Sequence, residues 1–251
     1  MIDSDETNKY KTELFRIRSY EVENNGKATL SSICNYFQEA AGLHAQKLYF
    51  DISDLMKKGM TWILYRLHVQ VIRFPKRWEE VRVITWPSPG NGIRAFRDYE
   101  LRDSDNKRIA LGLSQWMMLD IQKKRPVKIP PEVMQFGDHN YGHVLPADRS
   151  PIPETESKEL VFIAKAGQHD LDMNNHVNNV KFIDWSTGFM HSEVMKSKKC
   201  HEIQIQFTGE AKSGDKVLLA QNESLNNSGM MYHSLYNEER EVLSKAVTKW
   251  K

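Results

Sequence analysis

The chain has 251 residues, of which 40% are hydrophobic, 10% are aromatic and 27% are charged. This composition supplies enough apolar surface for a packed core and excludes an intrinsically disordered chain. The net charge of +2 is too small to indicate nucleic-acid binding. No uncharged apolar run approaches the roughly 20 residues that cross a bilayer, so we expect no stable membrane insertion. The length fits one large domain or two of about 125 residues.

The cysteines and the first residues bear on compartment and metal binding. Cys34 and Cys200 are the only cysteines, which argues against a disulfide framework or a cysteine-based zinc site. His169 and His176 are isolated from other metal-ligating residues, so we expect no metal site. The first residues, MIDSDETNKYKTEL, resemble neither a secretory signal nor a transit peptide. We therefore expect a cytoplasmic protein with reduced cysteines.

The predicted elements of the first half are one long helix and a run of strands. Residues 29–48 carry apolar residues near the 3.6-residue period, and Thr29 or Ser31 can cap the helix that this predicts. Segments rich in β-branched and aromatic residues, separated by turn-forming residues, predict strands at 61–73, 80–86, 94–103 and 108–120.

The second half repeats this plan after a proline-rich segment. A broad apolar face predicts a helix over 178–195, and strands follow at 202–207, 216–223, 230–237 and 241–250. Duplication of a unit explains the repeat, and a sheet that curls around the helix would bury it. We expect a first domain at 1–127, a linker at 128–159 and a second domain at 160–251.

The densest polar cluster lies just before the second predicted helix, in the sequence DLDMNNHVNNVKFIDW, residues 170–185. Asparagine and aspartate are common N-caps and turn formers, which gives a purely structural interpretation. The corresponding place in the first half has no histidine and no aspartate. A helix N-terminus can also hold an oxyanion, with carboxylate and imidazole nearby for proton transfer.

This cluster and several other segments resemble the acyl-acyl-carrier-protein (acyl-ACP) thioesterase family. The other segments are FRIRSYEVENNGKATLSSICNYFQEAAGLHA, GMTWILYRLHVQVIRFPKRWEEVRVITW and SQWMMLDIQKKRPVKIPPEV. The resemblance implies an α+β tandem hotdog fold, with each half a curled antiparallel sheet around one long helix. It also implies hydrolysis of fatty acyl-ACP, which ends chain elongation in fatty acid biosynthesis, without a cofactor beyond the phosphopantetheine arm of the carrier.

The resemblance implies four site residues in the second half. Asp172, Asn174 and His176 come from the polar motif, and Glu210 matches a carboxylate that the family carries after the second helix. The family often has a cysteine directly after that glutamate, whereas this chain has Ala211. We therefore expect attack by water, with Glu210 or Asp172 as general base and Asn174 with helix N–H groups stabilising the oxyanion.

Two further sets of residues are predicted to bind the substrate and its carrier. The family places the acyl chain in the first half, where core packing is the alternative for each candidate: Phe37, Ala41, Met60, Trp62, Trp116 and Met118. Because acyl carrier protein is acidic, a basic run at the mouth of the site is expected to bind it, with a solvated surface as the alternative: Lys123, Lys124, Arg125 and Lys128.

Two other functions remain open from the sequence. One is a hotdog thioesterase that acts on coenzyme A esters, and the other is a non-catalytic acyl-binding protein. The polar residues of the second half argue against the latter, because binding an alkyl chain needs none of them. Hotdog units usually pair, so the chain is expected to be a monomer or a homodimer.

Overall fold

The computed structural model divides the chain into two compact units, Met1–Asp148 (unit 1) and Arg149–Lys251 (unit 2). It describes residues 9–137, 141–148, 150–155, 157, 159–189, 197–224 and 229–251. Within these ranges, no helix has the length and apolar character needed to cross a membrane.

The described part of unit 1 is an antiparallel sheet with one long helix and two short ones. The helices are α1 (Leu30–Lys47), α2 (Ile52–Met56) and α3 (Pro131–Met134). The strands are β1 (Lys11–Arg16), β2 (Met60–Val71), β3 (Glu80–Ser88), β4 (Arg94–Arg102), β5 (Arg108–Asp120) and β6 (Arg125–Val127). The strand order is β1-β3-β4-β5-β2, and β6 pairs with β5.

Helix α1 confirms the helix predicted over 29–48. The Thr29 side chain accepts a hydrogen bond from the Ser32 N–H at 3.0 Å and so caps the first turn. Phe37 stacks on Tyr99 of β4 with 4.9 Å between ring centroids. A Cβ at Gly112 of β5 would lie 2.8 Å from the Phe37 ring, so this approach requires glycine. Phe37 thus marks the sheet face that α1 covers.

Unit 2 has the same layout. Its strands are β7 (Val161–Lys165), β8 (Cys200–Phe207), β9 (Lys216–Glu223), β10 (Met230–Tyr236) and β11 (Val242–Trp250), in the antiparallel order β8-β11-β10-β9-β7. Helix α4 (Asn179–Gly188) packs on the sheet, with the Phe182 and Phe207 rings 5.8 Å apart. The prediction placed this helix at 178–195. The helix ends at Gly188, because Phe189 has an extended backbone conformation, and residues 190–195 lie outside the described residues.

Parts of the proline-rich segment lie against the sheets. In unit 1, the Asp98 carboxylate is fully buried and accepts hydrogen bonds from the Val144 N–H at 2.8 Å, from His143 Nδ1 at 3.0 Å and from the Ser88 hydroxyl. In unit 2, the Tyr236 hydroxyl donates to Glu154 at 2.7 Å. Each unit therefore buries one sheet face against its helix and covers part of the other with this segment.

Candidate active site

A short loop of unit 2 leads into α4 and is closed by its own main chain. The Asp172 N–H donates to the carbonyl of His176 at 2.7 Å, and the Asn178 N–H donates to the carbonyl of Asp170 at 2.8 Å. These bonds hold the two ends of the loop side by side. The polar motif is therefore a fixed structure that presents its side chains directly before the helix.

The Asp172 carboxylate holds the loop from inside. Its Oδ1 accepts the N–H of Asn174 at 2.8 Å and the N–H of His176 at 3.3 Å. Between them, Asn175 has φ +62°, the left-handed region that asparagine tolerates better than most residues. Asp172 therefore fixes the position of His176 through the backbone.

The first turn of α4 is capped by Asn178, whose Oδ1 accepts the Val180 N–H at 2.9 Å. Asp170 supports the same turn, with 3.0 Å between its Oδ1 and the Lys181 ammonium. The Gly167 N–H, which donates to Asp170 at 2.8 Å, and then Lys181 hold the pKa of Asp170 below its usual value. Asp170 is thus a structural carboxylate.

Glu210 reaches this loop from the end of β8. The Gly209 N–H donates to the carbonyl of Leu243 at 3.0 Å, which fixes the chain leaving the strand. The Val177 N–H then donates to the carbonyl of Ala211 at 2.8 Å. Glu210 is therefore held between two main-chain contacts, one of them with the loop that carries the histidine.

The structure brings His176 and Glu210 into contact, with 3.2 Å between Nε2 and Oε2. The histidine side chain is 32% exposed and the glutamate side chain is 55% exposed. A carboxylate and an imidazole are thus joined where water can reach both. Such a pair can take a proton from water and return it to a leaving group.

Unit 1 contains the same loop before α1. The Glu23 N–H donates to the carbonyl of Lys27 at 2.9 Å, and the Thr29 N–H donates to the carbonyl of Glu21 at 3.0 Å. These bonds repeat those of the loop before α4. Lys27 occupies the position that His176 has in unit 2.

The partner segment is repeated as well. The Ala28 N–H donates to the carbonyl of Pro75 at 2.8 Å, as the loop of unit 2 does to Ala211. The residue before Pro75 is Phe74, which is 5% exposed. It stands where unit 2 has Glu210, so unit 1 has the loop without the carboxylate–imidazole pair.

Comparison with protein families assigns both units. The profile of the acyl-ACP thioesterase N-terminal domain matches residues 7–136, and that of the C-terminal domain matches residues 154–251. The chain belongs to the acyl-ACP thioesterase family. The His176–Glu210 pair lies in the part that matches the family's C-terminal domain.

Individual relatives agree with this assignment. The chain is 29% identical over 225 residues to an oleoyl-acyl carrier protein thioesterase of Coriandrum sativum, covering 82% of this chain and 60% of the relative. It superposes on an acyl-ACP thioesterase from Bacteroides thetaiotaomicron with TM-score 0.86 at 23% identity, covering 99% and 100% of the two chains. A 12:0-ACP thioesterase from Umbellularia californica gives TM-score 0.84 at 20% identity, with 97% of each chain covered. The predicted α+β tandem hotdog fold is confirmed.

The cysteines of this family member are unsuited to nucleophilic attack. Cys34 and Cys200 are both buried. Burial raises the pKa of the Cys200 thiol to about 12, so it stays protonated near neutral pH. Ala211 is also buried. It occupies the position at which, according to the resemblance, many family members have a cysteine.

Three of the predicted acyl-binding residues meet in one cluster of unit 1. Met118 is fully buried with Leu55 and Ile129, and the half-buried Met60 and Trp62 pack against them. Methionine side chains adapt to irregular shapes, so this cluster can rearrange around a ligand at low cost.

The other three predicted acyl-binding residues have different surroundings. Phe37 is stacked on Tyr99, and Ala41 is a buried residue of the same helix. Trp116 Nε1 donates to the Ser114 hydroxyl at 2.7 Å. Phe37 thus contributes to the packing of α1 on the sheet, as the alternative interpretation states.

The predicted carrier-binding residues lie on the exposed hairpin formed by β5 and β6: Lys123 and Lys124 in its turn, Arg125 at the start of β6, and Lys128 directly after β6. Lys123, Lys124, Arg125 and Lys128 are all exposed. Lys123 approaches Asp120 at 3.4 Å, which leaves the hairpin with an excess of positive charge.

Two buried polar clusters were missed by the sequence analysis. In unit 1, Arg97 donates to Thr85 Oγ1 at 3.3 Å and lies 3.0 Å from His44 Nδ1. In unit 2, His233 Nε2 lies 2.8 Å from Thr248 Oγ1, and burial lowers the pKa of His233 to about 4. The sequence signal for these clusters was a polar residue at a strand position that the alternating apolar pattern places toward the core.

Proposed function

We propose that this protein is a thioesterase that hydrolyses fatty acyl-ACP to free fatty acid and holo-ACP and so ends chain elongation. The observation that carries the proposal is the contact between His176 and Glu210 at the loop before α4. Family membership supports the substrate class. The chain spans about three fifths of the length of the curated relatives it matches, such as the coriander protein at 60%.

The geometry favours attack by water with Glu210 as general base. With Nε2–H of His176 donating to one carboxylate oxygen, the other oxygen can accept a proton from water. The resulting hydroxide adds to the thioester carbonyl, the carbon–sulfur bond breaks, and the proton passes from Glu210 to the departing thiolate. General base catalysis of this kind contributes about 10²- to 10⁴-fold.

Asp172 fits a positioning role. Its Oδ1 accepts the N–H groups of Asn174 and His176. This carboxylate therefore holds the backbone of His176 in place. Glu210, by contrast, contacts the imidazole itself. The assignment gives the two carboxylates different tasks, proton transfer for Glu210 and loop geometry for Asp172.

Asn174 is the proposed donor to the oxyanion. It lies half-buried in the loop between Asp172 and His176, and its amide can donate to the carbonyl oxygen as negative charge develops. The positive end of the α4 dipole acts in the same direction. The cap by Asn178 already uses the Val180 N–H, so the side chain of Asn174 is the more available donor.

The acyl chain is proposed to bind in unit 1, at the methionine-rich cluster around Met118. Each methylene that leaves water contributes about 0.8 kcal/mol, so the depth of this site would select chain length. Met60 and Trp62 are among the half-buried members of the cluster, and they are the proposed entrance.

The exposed basic hairpin is proposed to bind the acidic carrier protein. Reversing two charges with Lys123→Glu/Lys124→Glu is expected to raise the KM for acyl-ACP without changing kcat, because the reacting groups are untouched. An acyl-pantetheine substrate should show no such rise. Lys107→Glu is the matched control, since Lys107 is equally exposed in unit 1 and lies beside Asp105.

The decisive experiment is a chain-length panel of acyl-ACP and acyl-CoA substrates with free thiol as the readout. Hydrolysis with a salt-sensitive preference for the protein carrier is expected. A higher kcat/KM for acyl-CoA at every length would instead establish a coenzyme A thioesterase. Retention of acyl ligand without thiol release would establish an acyl-binding protein.

A further inference from the structure

The helix-facing side of the unit 2 sheet can be identified from its contacts. Phe207 of β8 meets Phe182 of α4. Ser244 of β11 is the direct cross-strand partner of Phe207. Because directly paired residues project to the same face of a sheet, Ser244 also faces α4.

The same register places two more polar residues on this face. Leu235 of β10 pairs with Ser244, and His233 lies two residues before Leu235 on the same strand. His233 in turn pairs with Gln221 of β9. Ser244, His233 and Gln221 therefore line one face, which α4 covers.

Four buried polar atoms at this place have no hydrogen-bond partner within the described parts of the chain. They are Ser186 Oγ on α4, Ser244 Oγ, His233 Nδ1 and Gln221 Oε1. Ser186, Ser244 and His233 are each 1% exposed. This is a concentration of unsatisfied groups in a single interior.

The orientations of two of these side chains are fixed by bonds at their other ends. His233 Nε2 is held by the Thr248 hydroxyl at 2.8 Å. The Gln221 amide nitrogen donates to the carbonyl of Phe189 at 2.8 Å. The ring nitrogen Nδ1 and the amide oxygen are therefore presented to the interior and cannot turn away without breaking a bond.

The interior of unit 1 is built differently. The half-buried Arg97 is hydrogen-bonded to both His44 and Thr85, which are buried. Phe37 and Tyr99 fill the space beside them. These polar groups beside α1 thus satisfy each other, whereas four polar atoms beside α4 have no partner within the described residues. Trp86 Nε1 and Gln115 Oε1 of unit 1 also have none there, but they lie on the sheet face turned away from α1.

Buried polar atoms in folded proteins are almost always hydrogen-bonded, either to protein or to ordered water. Uncharged donors and acceptors that lie close together match water, which both donates and accepts hydrogen bonds. We propose that the interior of unit 2 binds a cluster of ordered water molecules beside α4, and that this hydrated interior excludes the alkyl chain. The second half of this inference rests on the proposed function, because it presupposes an acyl substrate.

Exclusion follows from the chemistry of the face. An alkyl chain entering it would displace water and leave four polar atoms without partners, and this cost opposes the gain from burying methylenes. The polarity of unit 2 therefore favours binding of the alkyl chain in unit 1.

The hydration is tested by counting long-lived internal waters with oxygen-17 magnetic relaxation dispersion. The variant Ser186→Ala/Ser244→Ala is expected to lose at least one long-lived water relative to the unmodified protein. Thr187→Val is the matched control, because its hydroxyl is satisfied by the Ile183 carbonyl at 2.8 Å within the helix. Equal water counts in all three proteins would overturn the proposal. If the double variant does not fold, Ser244→Ala alone is measured against the same control.

The exclusion is tested with a diazirine-labelled acyl-pantetheine and peptide mapping of the crosslinks. Crosslinks are expected on peptides of unit 1, and crosslinks on β10 or β11 would overturn the exclusion. Absence of thioester hydrolysis would defeat the proposed function but would leave the water count unaffected. The two failures are therefore distinguishable.

Discussion

The loop before α4 and the loop before α1 follow the same main-chain path but carry different side chains. Each is closed by the same two backbone hydrogen bonds and contacts the segment after the first long strand that follows its helix. His176 and Glu210 stand in unit 2 where Lys27 and Phe74 stand in unit 1. The loop is thus a scaffold that tolerates both a reactive pair and an inert one.

The two loops also differ in the side chain that accepts the backbone N–H of His176 or of its counterpart Lys27. In unit 2 the Asp172 carboxylate accepts the His176 N–H at 3.3 Å, whereas in unit 1 Asn25 Oδ1 accepts the Lys27 N–H at 2.9 Å. In unit 1, a neutral amide therefore accepts this N–H. Unit 1 also has a carboxylate, Glu23, at the position of Asp172, and there it accepts from the Asn25 amide at 3.2 Å.

The largest effect is expected from Glu210→Gln, which makes unit 2 resemble unit 1 by removing the proton acceptor. We expect kcat to fall by about 10²- to 10⁴-fold, measured as thiol release from acyl-ACP. The melting temperature should change little, because Glu210 is exposed. Lys27→Ala in unit 1 is the control and should leave kcat within about twofold. An activity within tenfold of the original protein would refute the role of Glu210.

A smaller and more discriminating effect is expected at Asp172. Asp172→Asn keeps an oxygen for the two N–H groups, so kcat should fall by less than about tenfold. Asp172→Ala removes the oxygen, and kcat should fall by about 100-fold because His176 is misplaced. Both are measured in the same thiol assay. Equal losses in the two variants would show that the charge itself is needed, as for a general base.

The pH dependence of the free energy of unfolding should report on His233 in the interior of unit 2. Burial lowers the pKa of His233 to about 4 from an ordinary 6.5, so the unfolded chain binds the proton more readily. This contribution is present above pH 6.5 and is lost as the pH falls toward 4. Between pH 8 and pH 5 we expect a loss of about 2 kcal/mol in the free energy of unfolding.

Urea denaturation at several pH values measures this loss. His233→Gln, which cannot take up a proton, should flatten the dependence between pH 8 and pH 5 by about the same amount. If the variant and the original protein lose stability in parallel, His233 is not the group responsible.

The smallest effect is expected from Cys200→Ala. Because burial raises the pKa of this thiol to about 12, it contributes no nucleophile, and kcat should stay within about twofold. Treatment of the original protein with iodoacetamide at pH 8 should likewise leave the activity intact. Loss of activity in either experiment would contradict the water mechanism.

Local signals in the sequence predicted the main elements well. Helix α1 was predicted within a residue at each end, because its cap at Thr29 and its apolar period are both local. The short elements α2, α3 and β6 were not predicted, since three to five residues carry too little periodicity. Proline and turn residues marked the boundaries of the longer strands.

The candidate site was only partly accessible from the sequence. Spacing alone placed His176 before a helix, but its contact with Glu210 depends on where β8 ends, and the family resemblance supplied that residue. The bond between Arg97 and His44 joins residues 53 positions apart, and the bond between His233 and Thr248 joins two neighbouring strands. Sheet register decides such pairs, and a single sequence does not encode register visibly.

The buried carboxylate of Asp98 has a consequence for dissecting the protein. Two of its three hydrogen-bond donors, His143 and the Val144 N–H, come from the proline-rich segment. A fragment that stops at Val127 would lack both donors and the segment that covers this carboxylate, which leaves the Ser88 hydroxyl as its remaining donor within the described residues. Autonomous folding of the first unit should therefore begin only when the fragment extends past Val144.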